Sequence, residues 1–198
     1  MKEVFLEGYF SKYKRQELRS AREAITEKFM EGYSKYITCS DRVPTVFISH
    51  KHDDLEDLKG IIGFLEDTYN VKCYIDSRDK SMPSVTSGET ATKLKTRIKQ
   101  CDKFILLASN NAIESKWCNW ELGYGDANKF KDNIALFPFK RSSETYKGNE
   151  YMAIYPHIVK FEDSAYISGK WVIPGYYVCE TIEKGQNNFI PLKDWLTR

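Results

Sequence analysis

The residue whose setting most calls for chemistry is Glu121. It stands in the string Ser115-Lys116-Trp117-Cys118-Asn119-Trp120-Glu121-Leu122. Trp117, Trp120, Glu121 and Tyr124 fall at i, i+3, i+4 and i+7 of a helical repeat, which sets one carboxylate in an otherwise aromatic stripe. Burial among rings disfavours the charged form of an acid, so such a group needs a hydrogen-bond partner, an opening to solvent or a task. The task open to it is acid–base or charge-stabilising work. The plain alternative is a brace, in which Ser115 caps the helix and the acid pairs with a nearby lysine.

The elements that must position Glu121 can be read from the apolar runs. Lys103–Ala108 is short, apolar and bounded by polar residues, the pattern of a strand buried on both faces of a parallel sheet. Thr45–Ser49 is the first strand of the main domain and opens into the polar loop His50-Lys51-His52-Asp53-Asp54. Leu55, Leu58, Ile62 and Leu65 then mark a helix closing near Tyr69-Asn70. Val71–Ile75 is a second strand ending at Asp76. It is followed by a long loop, Ser77 to Gly88, that carries Arg78, Asp79 and Pro83 and is a candidate functional loop by its length. Ala91, Leu94, Ile98 and Cys101 give a further helix, Asn133–Phe139 a fourth strand and Ile158–Phe161 a fifth.

Strand and helix alternate, which predicts an α/β fold, a flavodoxin-like doubly wound parallel sheet. In such a sheet the ligand cleft lies at the carboxyl ends of the strands. That edge would gather Ser49, His50, Lys51, Asp76 and Ser109 beside the start of the Glu121 helix. Leu18, Ala21, Ile25, Phe29, Tyr33 and Tyr36 predict an amphipathic N-terminal helix within Ser11–Tyr36, and Pro44 ends the turn after it. The expected organisation is an N-terminal helical extension over 1–43, the main domain over 44–163, and a C-terminal extension over 164–198 packed on that domain with a covering role.

Composition narrows the function classes. The chain has 198 residues, 41% hydrophobic, with a net charge of +2. That is enough for a core and gives no overall field demanding nucleic acid or an anionic membrane. No apolar run spans a bilayer and no signal core opens the chain, so a cytoplasmic location is expected. The five cysteines, Cys39, Cys73, Cys101, Cys118 and Cys179, are odd in number and widely spaced, which argues against a disulfide framework and a zinc site. His50, His52, Asp53 and Asp54 are metal-ligand types, but on one loop they do not easily converge. Lys93, Lys95, Arg97 and Lys99 make a basic helix face that alone is too little charge for nucleic acid. No glycine-rich phosphate loop is present.

With Val46-Phe47-Ile48-Ser49-His50, then Tyr74-Ile75-Asp76 and its loop, then Ser-x-Trp-Cys-x-x-Glu-Leu over Ser115–Leu122, the chain resembles the TIR domain family over roughly residues 44–161. The resemblance implies the same flavodoxin-like fold and, for many bacterial members, cleavage of NAD+ at the nicotinamide–ribose bond. It implies that Glu121 is the essential carboxylate and that NAD+ is the substrate, with no separate cofactor and no metal. It further implies that the Ser77–Gly88 loop mediates self-association, and it suggests bacterial antiphage defence with a downstream effector that senses the product. In the usual pattern proline and glycine sit together near that loop's tip, whereas here Pro83 and Gly88 stand apart.

For such a substrate, Lys51 suits the pyrophosphate, with the Ser49 and His50 backbone adding donors. Trp117 could stack on a base or the nicotinamide, and Arg78 could reach the substrate or a second protomer. The plain alternatives are a solvated lysine and a core tryptophan. A non-enzymatic TIR scaffold acting by homotypic assembly is the competing function, and a nucleoside deoxyribosyltransferase is a third.

Overall fold

A computed structural model describes residues 1–14, 42–76, 88–129, 131–167, 169–181 and 186–198. Most of the expected N-terminal helix, Arg78 and nearly all of the Ser77–Gly88 loop lie outside the described residues. The parallel core of the sheet is built from β2 (Thr45–Ser49), β3 (Lys72–Tyr74), β4 (Lys103–Ala108), β5 (Ile134–Lys140) and β6 (His157–Phe161). Their spatial order is β3-β2-β4-β5-β6, the flavodoxin-like order, in which the chain reverses direction across the sheet between β2 and β4. Every residue of β2 and β4 is buried. Their continuous apolar runs have that cause, since both faces of the sheet are covered.

The helices lie on the two faces. α1 (Leu55–Tyr69) buries Leu58, Ile61, Ile62 and Leu65 and ends where Asn70 turns left-handed at φ 53. On the other face α2 (Gly88–Gln100) contributes Leu94 and Ile98. The chain leaves β4 into a short helix, α3 (Asn110–Glu114), capped by Ser109, whose Oγ accepts from the Ala112 N–H at 3.0 Å. Ser115 is extended and breaks the helix there; its Oγ accepts from the Cys118 N–H at 3.4 Å as α4 (Lys116–Lys129) begins.

The flanking segments enter the sheet itself. β1 (Phe5–Leu6) pairs in parallel with the end of β5, Phe5 opposite Phe139, and Lys2 bridges to Lys160 of β6. Phe5 and Phe10 are buried among Phe64, Phe137 and Tyr176, with Phe10 and Phe64 centroids 4.8 Å apart. After α5 (Asn149–Ile154) and β6, a small hairpin forms from β7 (Ala165–Ile167) and β8 (Lys170–Val172). β9 (Gly175–Thr181) then pairs antiparallel with β6, and β10 (Asn187–Pro191) forms the edge beyond it. The terminal helix α6 (Leu192–Thr197) buries Trp195 and Leu196 against the same core as Phe5. Of the C-terminal extension, β9 and β10 therefore lengthen the sheet and α6 packs on the core, where a covering role was expected. The lapse in pattern after Ser164 comes from Pro174 and Gly175, which bound β9, and from Pro191, which the edge position tolerates.

One close approach tests this packing. A Cβ added at Gly63 would run into the Tyr13 carbonyl oxygen, so α1 and the N-terminal turn meet backbone to backbone. Gly63→Ala is expected to destabilise the protein by about 1–3 kcal/mol through overpacking, read as a lowered urea midpoint. An unchanged midpoint would show that the turn is not held against the helix.

Candidate functional site

At the carboxyl edge of the sheet, two strands and one helix bring their polar groups to one place. Glu121 lies within α4 on the buried stripe Cys118, Glu121, Leu122 and Gly125. The expected aromatic stripe is therefore split. Trp117, Trp120 and Tyr124 stack along the shoulder of the helix, with centroids 4.9 and 6.0 Å apart and each ring half-buried, while the acid turns inward. The core-facing direction of the helix passes between these two sets, because the sheet lies against Cys118 and Gly125, the latter directly over the Phe104 ring.

Glu121 is only 2% exposed, and its Oε2 accepts a hydrogen bond from Ser49 Oγ at 2.5 Å. Burial pushes the acid up to about 8; the negative charge of Asp76 adds to the rise, and the Ser49 hydrogen bond and the nearby Trp117 indole oppose it. At neutral pH the free protein thus holds Glu121 mainly as the neutral acid. Ser49→Ala removes a hydrogen bond that favours the ionised form. Its expected effect is to move the Glu121 midpoint upward by roughly one to two pH units, followed by NMR of ¹³C-labelled glutamate carboxyls; a midpoint that stays in place would show that Ser49 does not hold the charge.

The other sequence candidates divide as follows. His50 follows Ser49, and its side chain is 3% exposed. Its Nδ1 sits 3.4 Å from the Ile48 carbonyl oxygen and 3.9 Å from Asp76 Oδ1. Burial lowers its pKa, opposed by Asp76, the Ile48 carbonyl and Asp54, so the imidazole is neutral at pH 7. Lys51 is half-buried, and its carbonyl accepts from the Asp54 N–H at 2.9 Å. Its ammonium is near enough to Cys118 to oppose the burial that raises that thiol. Arg78 lies outside the described residues.

Sequence reasoning weighed Asp54 only within the metal-ligand cluster, and the structure gives it another place. His52 and Asp53 face solvent, but Asp54 is buried, accepts a short hydrogen bond from Ser109 Oγ and lies 3.4 Å from Asn111 Nδ2. Burial raises its pKa. Two seryl hydroxyls at the ends of adjacent strands, Ser49 and Ser109, therefore each hold one buried carboxyl. The sequence signal for Asp54 is slight: an acid at the head of α1 whose side chain makes no cap to that helix.

A TIR domain family model matches residues 46–163. The chain belongs to the TIR domain family. Over 145 residues it is 32% identical to the probable 3' cyclic ADP-D-ribose synthase ThsB' of Bacillus cereus (strain MSX-D12), a match that covers 71% of this chain and 70% of that protein. It is also 32% identical over 85 residues to the putative cyclic ADP-D-ribose synthase TIR2 of Cytobacillus dafuensis, covering 42% of this chain and 22% of that protein. In this TIR domain no helix among the described residues is long and apolar enough to cross a membrane.

Proposed function

We propose that this TIR domain cleaves NAD+ at the nicotinamide–ribose bond and joins the remaining ADP-ribose to itself as a cyclic isomer, with linear ADP-ribose as the product of water attack. The observation that carries the reading is Glu121, a buried carboxyl held by Ser49 at the carboxyl edge of the sheet. The names of the two relatives support the cyclic product.

The chemistry follows from the groups present. When the bond from ribose C1 to the pyridinium nitrogen breaks, its electron pair neutralises the ring, so nicotinamide leaves without needing a proton. Positive charge develops on the ribose, and an adjacent carboxylate stabilises it. A ribose hydroxyl takes over the hydrogen bond that Ser49 supplies in the free protein, which also fixes the sugar for cleavage. A hydroxyl of the same molecule then attacks C1 and gives up its proton, and a carboxylate with a raised pKa is suited to accept it. Lys51 meets the pyrophosphate and Trp117 borders the ring that leaves. We place the activity in bacterial defence, where the cyclic nucleotide is a signal to an effector.

The test is incubation of concentrated protein with NAD+, with the products resolved by chromatography and mass. Nicotinamide together with a product one water lighter than ADP-ribose is the expected result. Absence of nicotinamide release from concentrated protein would reject the reading.

A further inference from the structure

The carboxyl edge carries a second buried acid that the chemistry above does not use. Asp54 stands at the head of α1 and is 3% exposed. Its Oδ2 accepts a short hydrogen bond from Ser109 Oγ, and its Oδ1 lies 3.4 Å from Asn111 Nδ2. Its own N–H donates to the Lys51 carbonyl at 2.9 Å and closes the turn over residues 51–54. These contacts join two loops whose partners are 55 residues apart in sequence. One is the turn after β2 that carries His50 and Lys51, and the other is the head of α3 after β4.

The far side of this junction is firmly built. Ser109 Oγ also accepts from the Ala112 N–H at 3.0 Å, so the same hydroxyl caps α3 and donates to Asp54. Asn110 anchors α3 to the loop after β5: its Nδ2 donates to the Thr145 carbonyl and its Oδ1 accepts from the Lys147 N–H, each at 2.9 Å. At the other end of α3 the Ile113 carbonyl accepts from Asn119 Nδ2 at 2.8 Å, which ties this short helix to α4 and so to the helix of Glu121.

We propose that Asp54 is a positioning residue: through Ser109 it clasps the Lys51 turn to the frame that carries Glu121, and thereby sets the Lys51 ammonium where the pyrophosphate of the dinucleotide binds. This inference rests on the function proposed above.

A buried acid is costly where an apolar residue would fill the same space. What the acid adds is direction, since its two oxygens address two donors at the head of α3. Lysine carries a point charge on a flexible four-carbon stem, so the reach of its ammonium is set by where the turn holds its backbone. An ammonium on the pyrophosphate, remote from the bond that breaks, serves the bound substrate and the transition state alike. Its displacement therefore weakens binding and spares the chemical step.

The experiment is steady-state kinetics of nicotinamide release for the unaltered protein, Asp54→Ala, Asp54→Asn, Lys51→Ala and the Asp54→Ala/Lys51→Ala double variant, with amide exchange followed on the same proteins. Asp54→Ala is expected to raise the KM for NAD+ about tenfold with kcat changed by less than about twofold. Asp54→Asn keeps an acceptor for the Ser109 hydroxyl and is expected to restore most of that affinity. In the double variant the KM is expected to rise little beyond that of Lys51→Ala, because both changes remove one contact. Effects that multiply in the double variant, or a loss confined to kcat, would overturn the proposal; a merely structural aspartate gives one of these two results. Ser109→Ala removes the other half of the clasp and supplies the same comparison where Asp54→Ala does not fold.

Amide exchange separates this proposal from the function it rests on. In Asp54→Ala the amide at position 54 is expected to exchange at least about tenfold faster while the amides of β2 and β4 keep their protection. That result upholds the clasp even where no NAD+ is cleaved. Unchanged exchange at position 54 overturns it even where NAD+ is cleaved.

Discussion

Glu121→Gln is expected to slow nicotinamide release from NAD+ by about 10²- to 10⁴-fold, the range for removing a positioned acid–base or charge-stabilising group. The same change should make the protein harder to unfold at pH 8. Gln keeps the shape and can still meet Ser49 Oγ, now 2.5 Å from Oε2. It cannot carry the negative charge that the developing ribose cation requires. The two effects have one cause, a carboxyl placed where its charged form is costly.

The stability effect has a defined direction. Glu121 is raised from an ordinary 4.5 to about 8 in the folded protein. Between those values the unfolded chain has lost the proton and the folded chain keeps it, so stability falls as pH rises. The favourable contribution is complete below pH 4.5 and lost by about pH 8. The full shift corresponds to about 4–5 kcal/mol as an upper bound. Gln does not titrate, so the thermal midpoint of the variant should gain on that of the unaltered protein steadily between pH 5 and 8. Parallel melting curves across this range would mean that Glu121 is not buried as a neutral acid, and a rate loss below tenfold would remove it from the catalytic role.

The second large effect is expected far from this chemistry. Phe5→Ala should cost about 3–5 kcal/mol, as for other fully buried phenylalanines. Phe5 is wholly buried, with ring contacts to Tyr9, Phe10, Phe137 and Tyr176. A loss of that size is a large part of a usual domain's stability. The urea midpoint should fall with the slope preserved, while nicotinamide release per folded molecule stays unchanged. The second expectation follows from the sheet: Phe5 lies in the core on one face, and α4 with Glu121 packs on the other. A variant that melts like the unaltered protein would show that β1 does not belong to the folded core.

The parallel centre of the fold was legible because burial on both faces imposes a simple rule. Val46–Ile48 and Phe104–Ala108 read as uninterrupted apolar runs, and the intervening helix announces itself through Leu58, Ile62 and Leu65. Glu121 was legible for the opposite reason, since a charge among tryptophans breaks the expectation of an apolar helix face. β1, β9 and β10 were not legible. Two residues carry no periodicity, and Phe5 finds Phe139 only through a pairing 134 positions distant along the chain (139 − 5). β9 is flanked by the residues that usually end strands, and its place beside β6 follows from a neighbour that no local pattern names.

The site divides in the same way. Residue types and spacing alone supplied a carboxylate on a helix, a serine and histidine at a strand end, and an aspartate at the next. Whether these meet depends on the lateral order of the strands, which sets Phe47 opposite both Tyr74 and Phe104 and so brings the ends of β2, β3 and β4 to one edge. That order places Ser49 against an acid 72 residues away and brings Asp76 within 3.9 Å of His50. The protonation of Glu121 is a property of that assembly, because desolvation and the field of neighbouring charges exist only once the sheet and α4 have packed.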